Sequence, residues 1–110
     1  MDLVNDIQTL TKRLNTSVIK LRDYGRELAE AEKEYKITLR QEALKLRSDG
    51  MAVTLINQIV YGIPEVAQKR FKRDVAETMY QTAQENINSI KIQLRILEGQ
   101  LQREWGNSWE

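Results

Sequence analysis

Residues 76–101 read AETMYQTAQENINSIKIQLRILEGQL and contain a regular apolar repeat. Its apolar residues recur three and four positions apart, at Ala76, Tyr80, Ala83, Ile87, Ile90, Leu94, Leu97 and Leu101. Seven-residue repetition of this kind predicts an α-helix that packs along a narrow apolar stripe. A second such stripe lies nearer the N-terminus, at Leu3, Ile7, Leu10, Leu14, Leu21, Tyr24, Leu28, Ala31 and Tyr35. We call these two stripes the seams, and we expect them to pair as an antiparallel hairpin of two long helices.

A break that contains glycine separates the two seams. Ser48, Asp49 and Gly50 predict the end of the first long helix, with Gly50 as the left-handed residue that follows it. Asp2 is suited to cap the start of that helix because its side chain can accept a hydrogen bond from a free backbone N–H. The first long helix is therefore expected over about residues 2–47.

A short apolar segment follows the break. Residues 51–62 have the highest density of apolar residues in the chain. They predict a short helix over about 53–61, with Thr54 as its cap and Gly62 as its stop. We expect this helix to plug one end of the hairpin, since its apolar side chains need cover.

A second long helix is predicted after the only proline. Pro64 suits the first helical position, where a missing N–H costs nothing. Gly106 and Asn107 predict the end of this helix, which is expected over about 64–105. The sequence thus predicts a single all-α domain over residues 1–110: a coiled-coil-like antiparallel hairpin of two long helices with a short connecting helix.

The composition excludes several classes of function. Cysteine and histidine are both absent from the 110 residues, which removes disulfides, thiolate nucleophiles and the commonest general base and metal ligand. The net charge of +1 gives no overall attraction to nucleic acid or to a membrane. No apolar run approaches the roughly 20 residues that span a bilayer, and the start MDLVNDIQTL lacks the features of a secretory signal. We therefore expect a cytoplasmic protein that uses no cofactor.

Neither the glutamates nor the serines form a pattern typical of catalysis or metal binding. The glutamates of residues 27–42 alternate with basic residues, which favours a surface of salt bridges such as Glu32 with Lys36. The serines have no histidine partner, and the chain contains neither a G-x-S-x-G motif nor a phosphate-binding loop. The sequence therefore predicts a protein that is not an enzyme.

Several large apolar residues lie outside the seams, at Val18, Ile19, Ile37, Leu44, Ile92 and Ile96. A lone two-helix hairpin buries one stripe per helix, so a broader apolar surface favours a bundle of three or four helices. We expect a two-fold homodimer that forms a four-helix bundle, with Ile19, Ile37, Ile92 and Ile96 in its interface. The alternative is that these residues bind a different protein. Trp109 is a candidate anchor for a partner, or it packs back onto the hairpin.

Residues 68–73 form the densest basic cluster, with cations at Lys69, Arg70, Lys72 and Arg73. Such a cluster could contact the phosphates of a nucleic acid, with Phe71 stacked on a base. The favoured interpretation is a solvated surface in which Arg70 pairs with Asp74 and Phe71 packs against the short helix. The cluster therefore makes nucleic acid a candidate partner, but not the favoured one.

Two long stretches of the chain resemble a family of small uncharacterised proteins encoded by phages and prophages of Gram-positive bacteria. They are AEAEKEYKITLRQEALKLRSDGMAVTLINQIVYG at 29–62 and VAQKRFKRDVAETMYQTAQENINSIKIQLRILEGQLQREW at 66–105. The motifs that carry the resemblance are the Asp49–Gly50 turn, VTLI, the run A-x-x-R-F-x-R-D-x-A-E and the final R-E-W. The resemblance implies a helical phage accessory protein and assigns no catalytic or ligand-binding residue.

Three functions remain open at this point. The first is a non-enzymatic phage accessory protein, cytoplasmic in the infected bacterium, that binds and modulates a host, defence or replication factor. The second is a nucleic-acid-binding helper of phage recombination or replication, whose affinity would fall steeply with salt. The third is a scaffold for virion assembly, which would co-purify with capsids.

Overall fold

The computed structural model describes residues 2–108, and these residues are almost entirely helical. Helix α1 spans Leu3–Ser48, α2 spans Val53–Ile59, and α3 spans Pro64–Ser108. A 3-10 turn, Val60–Gly62, joins α2 to α3. The described residues contain no strand. The prediction of an all-α chain with two long helices and a short connecting helix is confirmed.

Both ends of α1 have the chemistry that the sequence predicts. The backbone N–H of Val4 donates to Asp2 Oδ1 at 3.1 Å, so Asp2 caps the first turn. At the other end, Gly50 has a φ of 89°. The N–H of Met51 donates to Leu46 O at 3.1 Å, and the N–H of Gly50 donates to Arg47 O at 3.0 Å. These two bonds form the Schellman motif, which satisfies carbonyls left free at the end of a helix.

Replacement of Gly50 by Ala should destabilise the protein, because a Cβ is costly at a left-handed backbone position. We expect a loss of about 1–2 kcal/mol in the free energy of unfolding, measured by urea denaturation. Gly62→Ala is the matched control, since Gly62 lies in the same connection, lacks a positive φ and has open space around its Cβ position. Equal stability of the Gly50→Ala variant and the wild type would contradict the turn described here.

The connection between the long helices differs from its predicted form. Thr54 does not cap α2; Ala52 holds the capping position with an extended backbone and without a side-chain hydrogen bond. The helix also ends at Ile59 rather than at residue 61, because the chain tightens there into the 3-10 turn, which keeps Val60 buried. Pro64 is the first residue of α3, as predicted.

The end of α3 also differs from its predicted position. The helix continues through Gly106 to Ser108 instead of ending at residue 105. A glycine ends a helix when it takes a left-handed conformation. Gly106 does not take one, because Gly50 is the only described glycine with a positive φ.

The described chain forms two compact units, each of which contains a part of both long helices. The first unit combines residues 2–23 with residues from 81 onwards. Its core contains Leu10, Ile90 and Leu94, with Ile7, Leu14 and Leu97 packed around them. Asn86 Nδ2 donates to Ser17 Oγ at 3.3 Å. Since residue 10 lies near 94 and residue 17 near 86, the two helix segments of this unit are antiparallel.

The second unit contains residues 24–80 and includes the connection. Its core contains Tyr35, Ile56, Val60 and Val66, and the surrounding apolar residues are Leu39, Ala43, Leu46, Met51 and Ile63. A Cβ at Gly25 would lie 3.1 Å from the ring of Tyr80, so this glycine allows the two helix segments to approach closely. The short helix therefore closes one end of an antiparallel helix pair. The expectation of a single domain stays a prediction.

Candidate functional site

The short helix α2 is apolar on two faces, and only one of them is covered. Ile56 and Val60 are buried in the core of residues 24–80. A second set of large apolar side chains in the same segment is exposed: Val53, Leu55, Ile59 and Tyr61. We call this set the apolar end. A helix of seven residues can turn only one face toward the pair of long helices, so the other face remains in contact with solvent.

A lysine pair on α3 binds one carboxylate of α1. Lys69 Nζ lies 3.2 Å and Lys72 Nζ lies 3.4 Å from Glu34 Oε2. The hydrogen bonds from Lys69 and then Lys72, together with their positive charge, lower the pKa of Glu34 below its ordinary value of 4.5. Two of the four cations that are candidates for contact with nucleic acid are thus engaged within the protein.

The depressed pKa of Glu34 predicts a pH dependence with a defined sign. A carboxylate whose folded-state pKa is lowered adds stability above its unfolded pKa and loses that contribution as the pH falls through the folded pKa. The wild type should therefore exceed Glu34→Gln in stability near neutral pH, and the difference should vanish in acid. Carboxyl-carbon NMR of Glu34 should show a midpoint below 4.5, and Lys69→Gln/Lys72→Gln should raise it. An unchanged midpoint in the double variant would contradict the lysine contacts.

The two arginines of the basic cluster each lie over a tyrosine ring. Arg73 Cζ is 4.7 Å from the centre of the Tyr35 ring, and Arg70 Cζ is 5.9 Å from that of Tyr61, distances typical of cation–π contacts. Arg73, rather than Arg70, forms the ion pair with Asp74, at 2.8 Å. That hydrogen bond raises the pKa of Arg73.

Phe71 lies on the surface of α3, and its packing against the short helix stays a prediction. Its side chain is 64% exposed. The structure therefore leaves Phe71 on the surface beside cations that have partners within the protein. The second seam was predicted to begin at Ala76, but its spacing continues toward the N-terminus through Arg73, Lys69 and Val66. That spacing places Lys69 and Arg73 beside α1, where their partners Glu34 and Tyr35 lie.

The four isoleucines expected in a dimer interface are all exposed in the single chain. Ile19 and Ile37 follow Ser17 and Tyr35 by two positions, and Ile92 and Ile96 follow Ile90 and Leu94 by the same interval. Two helical positions correspond to a rotation of about 200°, so each isoleucine lies on the outer side of its own helix. Their role in an interface stays a prediction. Trp109 lies outside the described residues.

A groove on the surface of residues 24–80 escaped the sequence analysis. It encloses about 270 Å³ and is lined by Glu27, Glu30, Ala31, Glu34, Lys72, Val75, Ala76 and Met79. Apolar side chains therefore adjoin three carboxylates and one ammonium group. We call this cavity the acidic groove. The sequence shows only that Val75 and Met79 of its lining lie four residues apart on α3, and this spacing does not reveal their position beside α1.

No group of three or more acidic residues in the described part of the chain is arranged to hold a metal ion. No described helix has both the length and the apolar character needed to cross a membrane. Every buried side-chain nitrogen or oxygen in residues 2–106 has a hydrogen-bond partner. The exposed apolar surfaces are thus the most distinctive chemical features of residues 2–106.

No family model, curated protein or solved structure matches this chain. The resemblance to phage proteins accordingly stays a prediction.

Proposed function

We propose that this chain is a non-enzymatic interaction protein, which dimerises into a four-helix bundle and binds another protein through the apolar end. The proposal rests on the number of apolar side chains that remain exposed. Within residues 2–106, fifteen large apolar side chains are exposed, whereas nine apolar residues are buried. Extended exposed apolar surface is characteristic of sites that bind proteins, because contact with water is unfavourable for it.

The apolar end is the densest part of this exposed surface. Four of the fifteen exposed side chains fall within residues 53–61. They belong to a segment whose inner side chains are fixed in the core, which limits the entropy lost on binding. A partner with a matching apolar surface would cover Leu55 and Ile59, which lie four positions apart on one side of α2.

The contacts of the basic cluster favour protein binding over nucleic-acid binding. Lys69 and Lys72 contact Glu34, and Arg73 contacts Asp74. Phosphate groups would have to compete with these carboxylates, which weakens the attraction of the cluster for nucleic acid. A nucleic-acid helper would instead show an affinity for DNA or RNA that falls steeply with salt.

A comparison of captured proteins tests the proposed binding surface. The tagged wild type and the double variant Leu55→Lys/Ile59→Lys should be used to isolate partners from infected bacteria, followed by mass spectrometry. We expect a specific protein to be enriched with the wild type and lost with the double variant. Gln84→Lys is a control on the exposed surface of α3 and should retain the partner.

The identity of the captured protein separates the remaining functions. From the phage resemblance, we expect a host, defence or phage replication factor. Capsid proteins as the main capture would instead favour a virion assembly scaffold. Equal capture by the wild type and the double variant would show that the apolar end is not the binding surface.

A further inference from the structure

The exposed side of α3 in residues 24–80 carries a regular apolar ridge. Phe71, Val75 and Met79 are each exposed and follow one another at intervals of four residues. Side chains at this interval form a continuous ridge on a helix, and such ridges pack into the grooves of a neighbouring helix. Val75 and Met79 also line the acidic groove. The ridge thus has the form of a helix-packing surface without a partner in the described chain.

The charges beside the ridge are divided between the two helices. The carboxylates Glu27, Glu30 and Glu34 lie on α1, whereas Lys72 lies on α3. Glu34 has cationic partners, but Glu27 and Glu30 form no ion pair within residues 2–106. Lys72 contacts Glu34 yet leaves 61% of its side chain exposed. The ridge is therefore bordered by two carboxylates that could accept a further cation and by a lysine that could provide one.

We infer that the ridge Phe71–Val75–Met79 packs against the same ridge of a second copy of this chain, around a two-fold axis near Val75. In an antiparallel contact centred there, Phe71 of one copy lies at the level of Met79 of the other. Lys72 of one copy lies at the level of residue 78 of the other copy. Residue 78 is next to Met79, and Met79 lines the groove of that copy together with Glu27. The contact thus brings Lys72 of each copy near Glu27 of the other, and this reciprocal pairing is what a two-fold interface requires.

This inference rests on the proposed dimer and gives its interface a location. It differs from the interface expected from sequence, which used Ile19, Ile37, Ile92 and Ile96. None of those four residues lines the acidic groove, whereas Val75 and Met79 line it together with Glu27 and Glu30 of α1. Packing of the two ridges brings together one segment of α1 and one segment of α3 from each copy, so the contact forms a four-helix bundle over residues 24–80.

Single cysteine variants test this interface, because the natural chain contains no cysteine. Val75→Cys should form a disulfide-linked dimer under mild oxidation, since a residue near a two-fold axis approaches its own copy. Disulfide formation requires the two Cα atoms to come within about 7 Å. Ile92→Cys is the matched control, because Ile92 is an exposed residue of α3 that does not line the acidic groove. This variant should remain monomeric on non-reducing electrophoresis.

A charge substitution gives a second measurement that does not depend on oxidation. Val75→Glu would place two carboxylates together at the axis, and we expect the dimer dissociation constant to rise at least about a hundredfold. Ile92→Glu should leave the constant within about threefold of the wild-type value. Sedimentation equilibrium measures both constants, and circular dichroism verifies that each variant retains its helices.

The outcomes separate failure of this interface from failure of the proposed dimer. A wild type that remains monomeric would overturn the dimer itself. A dimeric wild type with cross-linking through Ile92→Cys, and none through Val75→Cys, would retain the dimer and overturn the ridge contact. A monomer whose groove binds an added basic amphipathic peptide would assign the ridge to a different occupant and would likewise overturn the inference.

Discussion

Replacement of Tyr35 by Ala should lower the free energy of unfolding by about 3–5 kcal/mol, as expected for the loss of a buried aromatic ring. The Tyr35 side chain is 7% exposed and packs with Ile56, Val60 and Val66. The ring also contacts Arg73 across 4.7 Å. Its removal would leave a cavity where the short helix meets both long helices, and the cation would lose its contact.

Tyr61→Ala is the matched control for this prediction. Tyr61 also lies beneath an arginine, Arg70, but it is 46% exposed. We expect it to lose less than about 1 kcal/mol, because little apolar surface leaves the core. Urea denaturation followed by circular dichroism measures both variants. Similar losses in the two variants would contradict the assignment of Tyr35 to the core of residues 24–80.

Replacement of Ile90 by Ala should cost about 2–5 kcal/mol, because it removes a buried side chain from the other unit. Ile90 is 2% exposed and forms a core with Leu10 and Leu94. Its neighbour Ile92, two positions along the same helix, is 55% exposed. The same substitution can therefore be compared on the seam and on the opposite face of the same helical turn.

Ile92→Ala should change the free energy of unfolding by no more than about 0.5 kcal/mol. The measurement is thermal or urea unfolding at low protein concentration, at which any dimer has dissociated. A loss at Ile92 equal to that at Ile90 would show that the seam has been assigned to the wrong helical face. The same variants also test the interface of isoleucines that was expected from the sequence, since a cost that appears only at high concentration would arise from association through Ile92.

The long helices could be predicted because their determinants are local or periodic. The seam spacing depends only on positions along the chain, and all the seam residues are buried or half-buried. Asp2 and Gly50 act within one turn of a helix end. Ser17 is buried between Leu14 and Leu21 of the first seam but was not predicted to be, because it is polar. Its partner Asn86 lies 69 positions away.

The details that escaped prediction depend on contacts between distant segments. The sequence paired Arg70 with Asp74 because they are four residues apart, yet Arg73 takes that carboxylate. Arg70 lies over Tyr61 instead. The boundaries of α2 depend on which apolar residues of the connection reach the core. That choice is set by Tyr35 and Val66 on the long helices.

The candidate surfaces were only partly visible in the sequence. The apolar density of residues 51–62 indicated a buried plug, but seven helical residues cannot bury two faces at once. The acidic groove forms because Glu27 and Glu30 of α1 lie beside Val75 and Met79 of α3. The spacing of residues along a single helix does not reveal such a contact between helices. Function was least predictable, because partner choice depends on the shape of such surfaces rather than on a motif.

The claim that a second copy covers the apolar surface left exposed in one chain can be tested by sedimentation equilibrium of the wild-type protein. The chain has a mass of 12.9 kDa. We expect the mass at high micromolar concentration to be about twice that value, with dissociation on dilution. A mass that stays at 12.9 kDa across the whole concentration range would contradict the claim.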